Sequence, residues 1–135
     1  MGLYLVLPDR GLANDEDIKP NVPNGTYSFR DSGYLVSPGS TTPTVLIAAA
    51  GRITFFANGT TSGVLTASLN GNISAITIKG TWTVDPKDGS ISETEQQFGG
   101  PGATLHFKDY PTLDGNTITF VASDPGAIVS GIDTR

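Results

Sequence analysis

From Gly25 onward the chain is a succession of short runs rich in Thr, Val, Ile and Phe, punctuated by Gly, Pro and Asn-Gly or Asp-Gly pairs. Apolar and small polar residues alternate within the runs, as in "ITFFANGTTSG" (53–63) and "LTASLNGNISAITIKG" (65–80). No stretch of ten or more residues carries a capped helical period. The pattern is all-β. It predicts strands over 25–36, 45–57, 60–69, 72–84, 90–98, 103–109, 116–123 and 127–133, joined by turns that include Asn58-Gly59, Asn70-Gly71, the "DPKDG" segment and Asp114-Gly115.

Eight antiparallel strands with short connections either close into a barrel or stack as a sandwich, because an open sheet leaves long edges unpaired. Consecutive hairpins suit up-and-down winding better than Greek-key crossings. The expected fold is therefore a single antiparallel eight-stranded up-and-down β-barrel over 25–135, with a β-sandwich as the alternative. Residues 1–24, with apolar "LYLVL", Pro8, "NDED", Pro20 and Pro23, read as an N-terminal strand followed by an irregular acidic arm. The strand–Asn-Gly–strand unit recurs, but any meander reuses that turn, so no repeat architecture follows.

A two-residue type I′ turn fixes register, so facing partners can be counted outward from each Asn-Gly. From Asn58-Gly59, Arg52 faces Leu65 and Ala50 faces Ala67; from Asn70-Gly71, Leu65 faces Ile76 and Gly63 faces Ile78. Facing partners share a side of the sheet. One apolar inner face is thus expected to carry Ala48, Ala50, Phe56, Leu65, Ala67, Leu69, Ile76, Ile78, Trp82 and Val84, with Arg52 in its middle. Continued through "DPKDG", the count sets Glu93 opposite Trp82 and Glu95 opposite Gly80, adding two carboxylates to the interior. Around Asp114-Gly115, Phe107 faces Ala122, Asp109 faces Phe120, and His106 turns outward. Tyr27, Phe29 and Asp31 form the inward set of the first core strand.

Composition narrows the chemistry. With Lys+Arg 8 against Asp+Glu 13, the formal net charge is -5, and no basic stripe exists for a phosphate backbone to follow, so nucleic acid is not an expected partner. Cysteine is absent, which removes disulfides and thiolate chemistry and leaves the compartment open. The longest apolar run, Val45 to Ala50, is far short of the roughly 20 residues that cross a bilayer as a helix. The start lacks a basic n-region and meets Pro8 early, which leaves a cytoplasmic protein or a mature secreted form with a replaced start. Sequons at Asn24, Asn58 and Asn72 overlap turn chemistry. One histidine cannot form a metal site alone, and no cofactor is implied. "FGGPGATL" (98–105) lacks the Lys-Ser/Thr of a phosphate loop and reads as a loop over one barrel mouth.

A charge on an inner face must be paired or wet, since a lone buried charge costs several kcal/mol. Arg52 with Glu93 or Glu95 is either a structural ion pair or the polar spot of an apolar pocket, with Trp82 or Tyr27 packing on a ligand body. The candidate ligand-binding residues are Arg52, Trp82, Glu93, Glu95, Tyr27 and Asp31. Glu93 and Glu95, two apart on a strand, share a face at a spacing too wide for a tight acid dyad.

The segments "NGTYSFRDSGY", "AAAGRITFFANGTTSGVLTASLNG", "IKGTWTVDPKDGSIS" and "ITFVASDPGAIVSG" resemble a group of small uncharacterised microbial proteins over roughly residues 24–132. The shared pattern is a Gly-x-Tyr-x-Phe strand, a Gly-Arg-hydrophobic-x-Phe strand and a Gly-Thr-aromatic-x-Val strand. In architecture the group looks like lipocalin-type or allene-oxide-cyclase-type barrels. The resemblance implies a barrel with a cavity and carries over no catalytic residue. The function expected is binding of a small hydrophobic or amphipathic molecule inside the barrel. Two alternatives are a barrel cyclase or isomerase, and a surface or secreted interaction protein with a filled barrel; monomer and dimer both remain open.

Overall fold

In the run Asn72–Val84, Ile76, Ile78 and Trp82 are buried while Thr77, Lys79 and Thr81 are exposed. That alternation puts one face of the strand in a core and the other in water. The computed structural model, which describes residues 23–100 and 102–135, shows eight such strands. They are β1 (Gly25–Val36), β2 (Pro43–Phe55), β3 (Thr60–Leu69), β4 (Asn72–Val84), β5 (Ile91–Phe98), β6 (Ala103–Pro111), β7 (Thr117–Ala122) and β8 (Ala127–Thr134). Each pairs antiparallel with its sequence neighbours, and β8 pairs back onto β1, closing an up-and-down barrel. Closure removes both edges, which a sandwich would have left open. It is also the architecture that the lipocalin-type resemblance implies. The expected N-terminal strand falls within residues 1–22, outside the described residues. No helix among the described residues is long and apolar enough to cross a membrane.

Three of the four counted registers form as expected. Asn70 (φ 53°) and Gly71 (φ 87°) both take the left-handed conformation of a type I′ turn, and Leu65 faces Ile76. Trp82 faces Glu93 across β4–β5, and Asp109 faces Phe120 across β6–β7.

The Asn58-Gly59 turn differs. Only Gly59 is left-handed there (φ 88°); its N–H donates to the Phe56 carbonyl at 3.0 Å, and the Phe56 N–H donates to the Thr60 carbonyl at 2.9 Å. This is a three-residue loop built on a type I turn with a left-handed glycine. The Asn58 Oδ1 holds it by accepting from the Thr60 N–H (3.1 Å) and hydroxyl (2.7 Å). The extra loop residue shifts β2 by one position, so Gly51 faces Leu65 and Arg52 faces Val64. A one-residue shift exchanges the two faces of a strand. Ala48, Ala50, Arg52 and Phe56 therefore lie outside, contrary to expectation, and Ile47, Ala49, Ile53 and Phe55 point in. Val84, counted with the inner face, is 38% exposed at the end of β4.

One end of the barrel is sealed. Phe55 packs edge-on against Tyr27 (centroids 5.7 Å apart) and Trp82 (6.1 Å), with Ile78, Ile91 and Ile118 filling the remaining space. The Trp82 indole N–H donates to the Phe56 and Thr60 carbonyls at 3.2 Å each. The Tyr27 hydroxyl donates to the Gly115 carbonyl, and the Arg135 guanidinium lies 5.2 Å over the Tyr27 ring. The opposite end, where β1–β2, β3–β4, β5–β6 and β7–β8 connect, has no such plug among the described residues, and Gly99, Gly100, Gly102 and Ala103 lie there.

Candidate functional site

The alternation that fills the sealed end changes character further along the barrel. In β5 the inward positions are Ile91, Glu93, Glu95 and Gln97, so three of four are polar. Their direction is fixed by the β4–β5 hairpin, in which the Asp85 N–H donates to the Ser90 carbonyl at 2.8 Å. Asp31 follows Tyr27 and Phe29 inward on β1, Asp109 follows Phe107 on β6, and Asp133 follows Val129 on β8. Five carboxyl groups from four strands thus converge inside one barrel.

Above the aromatic plug is a cavity of about 230 Å³ that opens toward the unsealed end. Its outer wall is mostly apolar, with Leu35, Val45, Ile47, Leu69, Leu105 and Ala127, and carries the single amide of Gln97. Its floor carries Asp31, Glu93, Glu95 and Asp133 among Phe29, Phe107 and Phe120. The Phe107 and Phe120 rings meet at right angles, 5.4 Å apart. Phe120 fits because position 131 is glycine: a Cβ there would lie 2.5 Å from the Phe120 Cζ and 2.3 Å from the Arg30 carbonyl oxygen.

Among the described residues the acids have no counter-charge inside the barrel. Among the described residues, no lysine or arginine side chain enters the interior: Arg30, Arg52, Lys79 and Lys87 are exposed, Lys108 sits at an outward position of β6, and Arg135 caps the sealed end. Glu93, Glu95, Asp109 and Asp133 are each at most 9% exposed. Burial, which disfavours the charged form, raises all their pKa values above the ordinary carboxylate range. Burial and the Glu95 charge bring Asp31 to about 7. Asp133 reaches about 8 through burial and then the charges of Asp109, Glu95 and Asp31. Asp109 is pushed up to about 7, chiefly by burial. Burial, then the like charges of Glu95 and Asp109, push Glu93 well above the ordinary carboxylate range, so its neutral form is favoured. With the carboxyls ionised, Asp31 Oδ1, Glu93 Oε2 and both Asp109 oxygens have no donor.

Of the residues singled out from sequence, Asp31, Glu93 and Glu95 line the cavity. Tyr27 and Trp82 are buried in the plug beneath it and do not line it. Arg52 lies on the outer face, so the expected pairing with Glu93 or Glu95 does not form. Asp133 is the cavity-lining acid that sequence reasoning left out, and Asp109, counted opposite Phe120 from sequence, is buried near Glu93 without lining the cavity. Asp133 is hidden by its own strand, because the outward positions of β8 include Ile128 and Ile132, which blur the alternation. His106 is outside as expected, and its Nδ1 lies 2.7 Å from Asp124 Oδ1, tying the β7–β8 connection to β6.

No group of three or more His, Cys, Asp or Glu among the described residues is arranged to hold a metal ion. The arrangement is a blind, mostly apolar cup whose floor offers acid protons and carboxylate oxygens. No protein-family model, curated protein or solved structure matches this chain.

Proposed function

We propose that the barrel binds a small amphipathic molecule, with its apolar body between the Leu35, Ile47 and Leu69 walls and its polar end on the acidic floor. The observation that carries this reading is the cavity of about 230 Å³ with apolar walls and unpartnered carboxyl oxygens at its closed end. An unsatisfied buried polar group costs about 1–3 kcal/mol, so a ligand that satisfies several of them gains both affinity and orientation. Eight strands enclose just enough width for side chains or for one small ligand. The volume falls below the roughly 300–1,000 Å³ of drug-sized pockets, which favours a compact molecule. A cavity of this kind also weighs against a filled barrel that acts only through its loops.

Native mass spectrometry of freshly purified protein, compared with its denatured mass, tests the reading. A small molecule that leaves on unfolding is the expected result. A bare chain that also takes up no amphipathic compound would overturn it.

A second reading is favoured by one observation, the burial of Glu93 in the cavity floor beside other acids, which raises its pKa well above the ordinary carboxylate range. A carboxylic acid kept neutral in an apolar cavity is the form a general acid needs, so a barrel isomerase or cyclase is the catalytic version of the same site. A Glu93→Gln variant that binds a converted substrate but no longer turns it over would support catalysis; unchanged conversion would remove Glu93 from the reaction.

A further inference from the structure

We infer that the ligand carries a protonated amine, seated head-down among Glu93, Glu95, Asp31 and Asp133, with its apolar body toward the open end. The inference rests on the ligand-binding reading above and names the chemistry of the ligand's head.

The choice follows from what each head group would meet. A carboxylate or phosphate would face acids alone, since among the described residues no cation points inward. A hydroxyl or carbonyl would exchange a hydrogen bond with one protonated acid and leave the mutual repulsion of the others unchanged. An ammonium brings up to three N–H donors and a positive charge to a place that has orphan acceptors and no positive charge. Glu93 is the sharpest of these acceptors: its side chain is about 95% buried, it lines the cavity, and its Oε2 has no partner. Asp31 Oδ1 is a second. A metal ion is a poorer fit, because among the described residues the acids are not arranged to hold one. A polyamine fits poorly too, since its second charge would lie against Leu35, Val45 and Leu69.

Amine binding displaces protons from the floor. The titratable groups that line the site are Asp31 from β1, Glu93 and Glu95 from β5 and Asp133 from β8, and Asp109 from β6 is buried behind them near Glu93. The inward side chains of β2, β3, β4 and β7 at this depth are apolar, apart from Thr61. An alkylamine, with a pKa near that of lysine (about 10.4), stays charged while these acids ionise. Affinity for the amine therefore rises with pH across the range in which the acids lose their protons.

The test is calorimetric titration of the full chain with n-hexylamine, n-hexanol and hexanoate, which share one apolar body. The expected result is that hexylamine binds at least about tenfold tighter than hexanol. Hexanoate gives no saturable binding. Hexylamine should also bind about tenfold tighter at about pH 8 than at about pH 5.5, with protons released to the buffer. Glu93→Gln should weaken hexylamine about tenfold and leave hexanol unchanged, with Asp133→Asn as the second variant. Hexylamine that fails to bind, or binds no tighter than hexanol, overturns the inference. Native mass spectrometry then separates the two readings: a captured molecule of another class leaves ligand binding standing, and a bare chain that also takes up none of the three probes removes both.

Discussion

Glu93 stands directly opposite Trp82 across β4–β5, so one inward layer holds both the indole that seals the barrel and an acid that faces the cavity. The floor of the cup is thereby built on the plug. Trp82→Phe keeps an aromatic ring but loses the pyrrole half of the indole, and with it the N–H that serves the Phe56 and Thr60 carbonyls. Urea unfolding should show a loss of about 1–2 kcal/mol. A variant as stable as the parent would mean that those bonds add nothing to the plug.

The acids impose a pH dependence of definite sign. Asp31 and Asp109 titrate at about 7 and Asp133 at about 8 in the folded protein, against about 3.9 for an unfolded aspartate. The folded state therefore holds protons that the unfolded state has released, and stability falls as pH rises from about 4 through about 8. The ligand-free protein should melt at a higher temperature at about pH 5 than at about pH 8.5. A melting temperature that rises over that interval would show that the acids are not buried as described.

Asp133→Asn isolates one of these groups. The amide cannot ionise, so at about pH 8 it avoids placing a charge beside Asp109, Glu95 and Asp31. The variant should be more stable there by about 1–3 kcal/mol, and its melting curve should vary less with pH. Destabilisation at that pH would argue that the Asp133 carboxylate has a partner.

Arg52 supplies the contrast. It is exposed on the outer face opposite Val64, so Arg52→Leu should leave ligand binding unchanged and shift stability by no more than about 0.5 kcal/mol. A large loss of ligand affinity would return Arg52 to the site.

Two Asn-Gly pairs in one chain adopt two turn types, and this decides how far the fold could be read from sequence. At Asn70-Gly71 both residues are left-handed and the count is correct; at Asn58-Gly59 only the glycine is, and every β2 side chain changes sides. Alternation in β2 did not arbitrate strongly, because Leu46 and Phe56 outside match Ile47 and Phe55 inside in size and apolarity. The inward direction of Glu93 and Glu95 was legible because a hairpin is local. The meeting of Asp31 with Asp133 was not, since it depends on β8 closing onto β1, which no turn residue encodes.

Gly71 tests the local part of that account. At φ 87° an added Cβ meets no neighbouring atom, so the penalty of Gly71→Ala is the backbone alone. About 1–2 kcal/mol should be lost in urea unfolding with the cavity unaffected. A neutral substitution would mean that the turn relaxes into another type.

The pairing of β1 with β8 also sets the order in which the interior can assemble. Strands β1 to β7 can zip as successive hairpins as they emerge during synthesis, but residues about a hundred apart, such as Phe29 and Asp133, meet only when the ring shuts. That last step brings Asp31 and Asp133 into the enclosure with Glu93, Glu95 and Asp109 of the β5–β6 hairpin, so the repulsion that involves β1 and β8 arises only at ring closure. Alkaline conditions should therefore act as a kinetic brake on the final stage of folding, and a cation captured at that moment would serve as a template for it.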